Sequence, residues 1–332
     1  MIHQYIERRS NTIQTESLFF DRCILTLYSS IREKAPWLYR FLLSSRTSSV
    51  IGFLNYDARF MTAFQDPRRL LARLGIDPDE IYGNIHQYNS YRRAFERKIC
   101  YWKCRPMSED ASSVVSPADA RALPGSFKTG QPLFIKDKFF DYDELIGNDK
   151  PEWKEAFREG DFIICRLTPE KYHYNHVPVS GTVVDIYEIN GRYHSCNPGA
   201  VVKSVTPYSK NRRIVTVIDT DVENGTGVGR VAMIEIVAMM IGRIVQCYSD
   251  SRYDDPQPVQ KGMPLKIGQP KSLFRPGSST TVLIFQHNRI QFSQDLLANA
   301  ERTDVQSRFT SGFQKPLVET EINVRQTIGE AI

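Results

Sequence analysis

The chain has 332 residues, 41% hydrophobic, 24% charged and 11% aromatic, with a formal net charge of +5. That length and aromatic content suit one large folded domain or two ordinary ones and exclude a disordered chain. So mild a positive bias excludes the basic stripe of a dedicated nucleic-acid binder, so no nucleic-acid partner is expected, but it is compatible with an anionic membrane surface.

The six cysteines, Cys23, Cys100, Cys104, Cys165, Cys196 and Cys247, are scattered through a chain too long to need a disulfide framework. Cys100 and Cys104 form a close pair with no second Cys/His pair at zinc spacing, so no metal site is read there. The opening MIHQYIERRSNTIQ lacks a basic-then-apolar leader, and no run of 18 apolar residues occurs. A cytoplasmic setting is expected, with contact at the inner membrane peripheral at most.

In chain order, residues 16–54 carry apolar side chains at helical spacing: Leu18, Phe19, Cys23, Ile24 and Leu27, then Trp37, Leu38, Phe41 and Leu42, then Val50, Ile51 and Leu54. This predicts helices that either pack on a core or lie in a membrane interface, with Arg32, Lys34, Arg40 and Arg46 toward anionic head groups. Residues 67–75 and 87–99 also read as helical. From about 160 onward the pattern changes to short Val- and Ile-rich runs, as in Phe162–Ile164, Val183–Tyr187, Ile214–Ile218 and Thr281–Phe285. Turn pairs such as Asn190-Gly191 and Asn224-Gly225 separate such runs. Residues 231–245 have no clear period, and their β-branched content and flanking glycines favour strands. The expected fold class is α+β. A helical region, residues 1–105, precedes a β-rich domain of mainly antiparallel strands, residues 106–332.

Three segments could carry chemistry. Ser116-Pro117-Ala118-Asp119 reads alone as a turn in which Asp119 caps backbone N–H groups. In Tyr172-His173-Tyr174-Asn175-His176-Val177-Pro178, the prolines at 169 and 178 favour a loop or strand edge, where imidazoles can move protons. Arg275-Pro276-Gly277-Ser278-Ser279-Thr280 stands directly before a strand. It is either an ordinary turn or a site of backbone self-cleavage. In the second case a serine hydroxyl, freed of its proton by a base, attacks the preceding carbonyl, and Gly277 supplies the backbone freedom this requires.

Together these pieces resemble the phosphatidylserine decarboxylase family. Arg166 through Gly181 is similar to the family's R-L-x-P-x-D-Y-H-R-x-H-x-P-V-x-G signature. Cys196-Asn197-Pro198, Asn211-Arg212-Arg213, the S-P-A-D at 116–119, and Phe95-Glu96-Arg97 with Arg105-Pro106 match further motifs in order. Lys261 through Thr280 resembles the stretch leading to an L-G-S-T or G-G-S-T cleavage site. Three departures stand out: Ala120 replaces a Gly, Lys171 replaces the Asp before Tyr-His, and Met263-Pro264-Leu265-Lys266 replaces an acidic stretch.

The resemblance implies a chain that severs itself at Gly277-Ser278-Ser279 and turns Ser278 or Ser279 into a pyruvoyl group, its only cofactor. Asp119 and His176 match the aspartate and histidine that activate this serine, and His173 a second histidine that handles protons during decarboxylation. The implied activity is that of a carboxy-lyase converting phosphatidylserine to phosphatidylethanolamine and CO2 through a Schiff base. The matched motifs leave open a soluble amino acid, aromatic ones included, as substrate, and a non-processing member that binds lipid or a partner. They also leave open assembly into a homo-oligomer.

Overall fold

The structure is a computed structural model that describes residues 2–18, 21–44, 66–128, 139–204, 206–239, 243–277 and 279–332. Ser278 lies outside the described residues, as do Phe19, Arg46, Val50, Ile51 and Leu54 of the amphipathic stretch.

The described strands, in chain order, are β1 (Gln4–Glu7), β2 (Thr12–Thr15), β3 (Ser113–Val115), β4 (Ala120–Ser126), β5 (Asp161–Leu167), β6 (Tyr174–His176), β7 (Gly181–Ile189) and β8 (Arg213–Asp219). They continue as β9 (Arg230–Val237), β10 (Ile244–Gln246), β11 (Pro264–Leu265), β12 (Pro270–Phe274), β13 (Ser279–Phe285), β14 (Ile290–Phe292), β15 (Thr320–Ile322) and β16 (Thr327–Ala331). Ten form one sheet in the order β11-β7-β8-β9-β13-β5-β4-β15-β1-β2, and two three-stranded sheets run β10-β12-β6 and β14-β16-β3. Pairing in the large sheet is antiparallel except between β1 and β15. The α+β class and the strands expected from β-branched runs are present, including the ambiguous 231–245 stretch, which forms β9 and β10.

Side chains alternate across the large sheet with period two. On β13, Val282 and Ile284 enter one core, together with Ile234 and Ile236 of β9 and Ile164 of β5. Leu283 and Phe285 enter the opposite core, with Met233, Cys165, Phe274 and Val177. Ser279 and Thr281 therefore share the face of Leu283, toward the small sheet β10-β12-β6. In the register, Ser279 lies between Leu167 of β5 and Val237 of β9.

The first hundred residues are not wholly helical, because β1 and β2 join the large sheet. Helices follow at Asp21–Thr26, Pro36–Leu42, Pro67–Arg73, Tyr91–Phe95 and Tyr101–Cys104. The amphipathic stretch divides its apolar residues. Leu27, Tyr28, Tyr39 and Leu43 are buried against Ala200, with Met239 packed beside them. Trp37 and Phe41, one helical turn apart, stay 71% and 58% exposed. Met239 lies just past the end of β9 that pairs with Ser279, so these helices stand at that same end of the sheet.

Candidate active site

Gly277 has φ of 145°, a region open to glycine and closed to most other residues, so the turn after β12 depends on it. Ser279 follows as the first residue of β13. It is 1% exposed, and its Oγ has no hydrogen-bond partner among the described residues. A buried hydroxyl left unpaired costs about 1–3 kcal/mol and marks a position kept for some reason other than stability.

The sequence Tyr172–Pro178 enters β6, where alternation separates its two histidines. His173 stacks face to face on Phe95 at a centroid distance of 3.5 Å. Its Nδ1 donates to the Lys171 carbonyl at 2.7 Å, which leaves Nε2 as the bare, basic nitrogen. That Nε2 is buried and has no partner among the described residues. His176 points the other way. Its Nδ1 donates to the Gly268 carbonyl at 2.8 Å, its Nε2 accepts from the Tyr172 hydroxyl at 2.9 Å, and its ring sits edge-on to Tyr101. The chain of hydroxyls continues from Tyr172 to Tyr253 at 2.7 Å. Burial pushes both imidazoles down to about 3; the Arg97 charge adds to this at His173, and Arg325 adds to it at His176. Both rings are therefore neutral near pH 7.

The registers set which histidine lies level with Ser279. Thr281 Oγ1 donates to Asn175 Oδ1 at 2.8 Å, joining β13 to β6. Two residues back along each chain, on these same faces, stand Ser279 and His173. The Phe274 N–H donates to the His173 carbonyl at 3.0 Å, so His173 sits where β12 ends and the Gly277 turn begins. Ser279 Oγ and His173 Nε2, both buried and without a partner among the described residues, thus each stand two residues before the side chains that join β13 to β6.

Asp119 is 4% exposed and ends the expected turn, in which the Ser116 hydroxyl donates to the Ala118 carbonyl at 2.7 Å. The turn lies beside β6, because the His176 N–H donates to the Pro117 carbonyl at 2.7 Å. The Asp119 carboxylate does not bond either histidine. It accepts Arg105 Nε at 3.1 Å and Nη2 at 2.8 Å, and the Val324 N–H at 2.8 Å. Burial works to raise Asp119, and the Arg105 guanidinium outweighs it and holds the carboxyl below its ordinary value. Arg105 also grips Glu80, at 2.6 and 3.0 Å.

Phe95, Arg97 and Arg105 came to notice only as motif letters, with no role attached. Phe95 forms the floor under His173. Arg97, nearly buried, donates to the Glu170 carbonyl at 2.8 Å, next to the carbonyl that holds His173. Lys171, where the resembled family has Asp, forms an ion pair with Glu321. Tyr172 likewise entered only as a motif letter, and Tyr253 was missed outright; nothing in its spacing distinguishes it from a core aromatic.

A second buried cluster, His3, Glu16 and Glu319, has metal-ligand chemistry in outline. Two guanidiniums occupy it instead: Arg166 donates to Glu319 at 2.9 Å and to Glu16 at 3.0 Å, and Arg121 pairs with Glu16.

A family model described as phosphatidylserine decarboxylase matches residues 93–310. The chain is 28% identical to the phosphatidylserine decarboxylase proenzyme of Fusobacterium nucleatum over 302 residues, 90% of this chain and 92% of the relative. It is 27% identical to a Chlamydia trachomatis proenzyme of the same name over 98% of this chain and 96% of the relative. A Clostridium tetani proenzyme is 30% identical over 67% of this chain and 69% of its own length. The segment holding Phe95, Asp119, both histidines and Ser279 falls within the matched range, and the chain belongs to the phosphatidylserine decarboxylase family of carboxy-lyases.

Proposed function

We propose that this chain severs its own backbone before Ser279 and uses the resulting pyruvoyl group to decarboxylate phosphatidylserine to phosphatidylethanolamine. What supports the reading is that Ser279 Oγ and His173 Nε2 are each buried without a partner among the described residues, on two strands joined by the Thr281–Asn175 hydrogen bond. The names of the relatives, each a proenzyme, support it as well.

In the first step His173 Nε2 takes the Ser279 proton, and the oxygen attacks the carbonyl of residue 278. The C–N bond breaks, its nitrogen is protonated, and an ester replaces the amide. Removal of the Ser279 α-proton then expels the carboxylate of the new chain end and leaves dehydroalanine, which takes up water and releases ammonia to give the ketone. The ketone supplies an electron sink for the carbanion formed as CO2 departs, the service a separate cofactor gives in other decarboxylases. Throughout, Phe95 and the Lys171 carbonyl hold the His173 ring in one orientation and tautomer. His176, with both nitrogens committed, stands behind it and braces Tyr172 and the loop at Gly268. The alternative order, with His176 as base and His173 returning the proton to carbon, is the one the family resemblance implies. The free Nε2 of His173 favours the first.

Intact-mass measurement of the purified protein tests the cleavage. Cutting before Ser279 gives a blocked fragment covering residues 279–332, and cutting before Ser278 one that is longer by a serine. Ser279→Ala should leave one uncut chain, and Ser278→Ala should still cut. His173→Ala should be uncut, while His176→Ala that cuts slowly would assign His176 a supporting part. Release of CO2 from a free amino acid and not from phosphatidylserine vesicles would overturn the lipid substrate.

A further inference from the structure

Among the described residues the deepest charges lie one rung from Ser279. Glu235 of β9 and Lys271 of β12 are both 0% exposed and pair at 2.7 Å. Gln246 closes a ring with them, donating to Glu235 Oε2 at 2.8 Å and accepting from Lys271 Nζ at 2.9 Å. Asn175 Nδ2 donates to Glu235 Oε1 at 3.3 Å and to Ser272 Oγ at 3.2 Å, and the Ser272 hydroxyl also donates to Glu235. A carboxylate only accepts, so the Asn175 amide nitrogen must face Glu235, and its oxygen is left for the Thr281 hydroxyl.

A break in register delivers the lysine. The pairing of β12 with β6 jumps between Pro270 and Ser272, leaving Lys271 as the extra residue of a bulge. Two consecutive side chains, Lys271 and Ser272, both reach Glu235, which an unbroken strand would not allow. Elsewhere the rung is regular: Gln246 pairs with Ser272, Ser272 with Asn175, and Glu235 with Thr281.

A buried ion pair is a poor device for stability, since apolar residues of the same volume serve as well or better. What this network does supply is a fixed orientation. It holds β6 against β13 through one hydrogen bond, and two residues back along each chain stand His173 and Ser279. We propose that Glu235 and Lys271 are positioning residues for the self-cleavage of this chain, acting through Asn175 and the Thr281 hydroxyl. The inference rests on Ser279 being the serine that reacts, and it adds the group that aligns the serine with its base.

The test follows the rate at which freshly synthesised full-length chain converts to two fragments. Thr281→Val removes only the hydroxyl and should slow conversion about tenfold or more. Thr281→Ser, which keeps the hydroxyl, should restore most of the rate. A double replacement, Glu235→Met with Lys271→Met, should fold with a thermal midpoint no lower than that of uncut Ser279→Ala, and should cut slowly. Wild-type conversion by Thr281→Val, or equal slowing by Thr281→Val and Thr281→Ser, would overturn the proposal. Should the double variant not fold, the two Thr281 variants still decide. Cutting by Ser279→Ala would remove the underlying assignment of the serine, a separate result that none of the Thr281 outcomes can mimic.

Discussion

His173 and His176 have ordinary values of 6.5 that burial lowers to about 3, and His194 falls to about 4 for the same reason. For each, the unfolded chain binds a proton below 6.5 that the folded chain refuses. Their contribution to stability is therefore complete above 6.5 and lost as pH falls from there toward 3 or 4. Each fully buried ring costs up to about 1.4 kcal/mol per pH unit in that window. Thermal midpoints should fall steadily between pH 7 and 5, and replacing His173 and His176 by Asn should flatten that slope. Asp119 and Glu319 work in the same direction but lower, because their carboxyls, held below their ordinary values, lose their contribution only at more acidic pH. Arg105 is the partner that permits Asp119 to be charged and buried. Arg105→Met should destabilise by about 3–5 kcal/mol, read by chemical denaturation of the uncut Ser279→Ala chain. That dependence was illegible in the sequence: Arg105 and Asp119 are fourteen positions apart, and only the fold makes them neighbours.

At the level of elements, the strand pattern was legible where β-branched runs stood between turns, as in β5, β7, β8 and β13. The hairpin of β1 and β2 was not. All four residues of β2 are exposed, so it carries no alternation to read. Nor did the spacing of His173 and His176 reveal that they face apart. Three residues of helix would have brought them together, whereas extended backbone divides them. The Lys271 bulge left no mark in the sequence at all. The helix Pro36–Leu42 bears the mixed result of an amphipathic reading, part buried and part presented to solvent. Trp37 and Phe41 project from it with Lys34 and Arg40 nearby and exposed, a combination suited to an anionic lipid surface. Trp37→Ser with Phe41→Ser should abolish co-sedimentation with vesicles containing phosphatidylglycerol while leaving self-cleavage intact. Undiminished co-sedimentation would remove these two residues from the docking surface. Among the described residues no helix is long and apolar enough to cross a membrane.

Over the whole molecule, the proposed cut falls at the first residue of a strand that is paired on both sides. Downstream of it, β13 stays between β9 and β5, β15 between β4 and β1, and β16 between β3 and β14. Buried charge holds the pieces as well: His3 Nε2 lies 2.9 Å from Glu319, and Arg166 bridges Glu319 and Glu16. The two fragments should elute together in buffer and separate only in denaturant. Removing residues 2–16 would strip Arg166 and Arg121 of Glu16, and should cost about 3–5 kcal/mol, measured as a lowered midpoint in urea.

Because β13 begins at Ser279, the proposed cut and the sheet's own seam coincide. A bacterium made to express residues 1–278 and residues 279–332 as two separate polypeptides should assemble the same outline from them. The second polypeptide would then start with a plain amine, since no acyl shift ever occurred, and the assembly would be a shape-matched blank: able to take up whatever the mature protein takes up, and unable to release carbon dioxide from it.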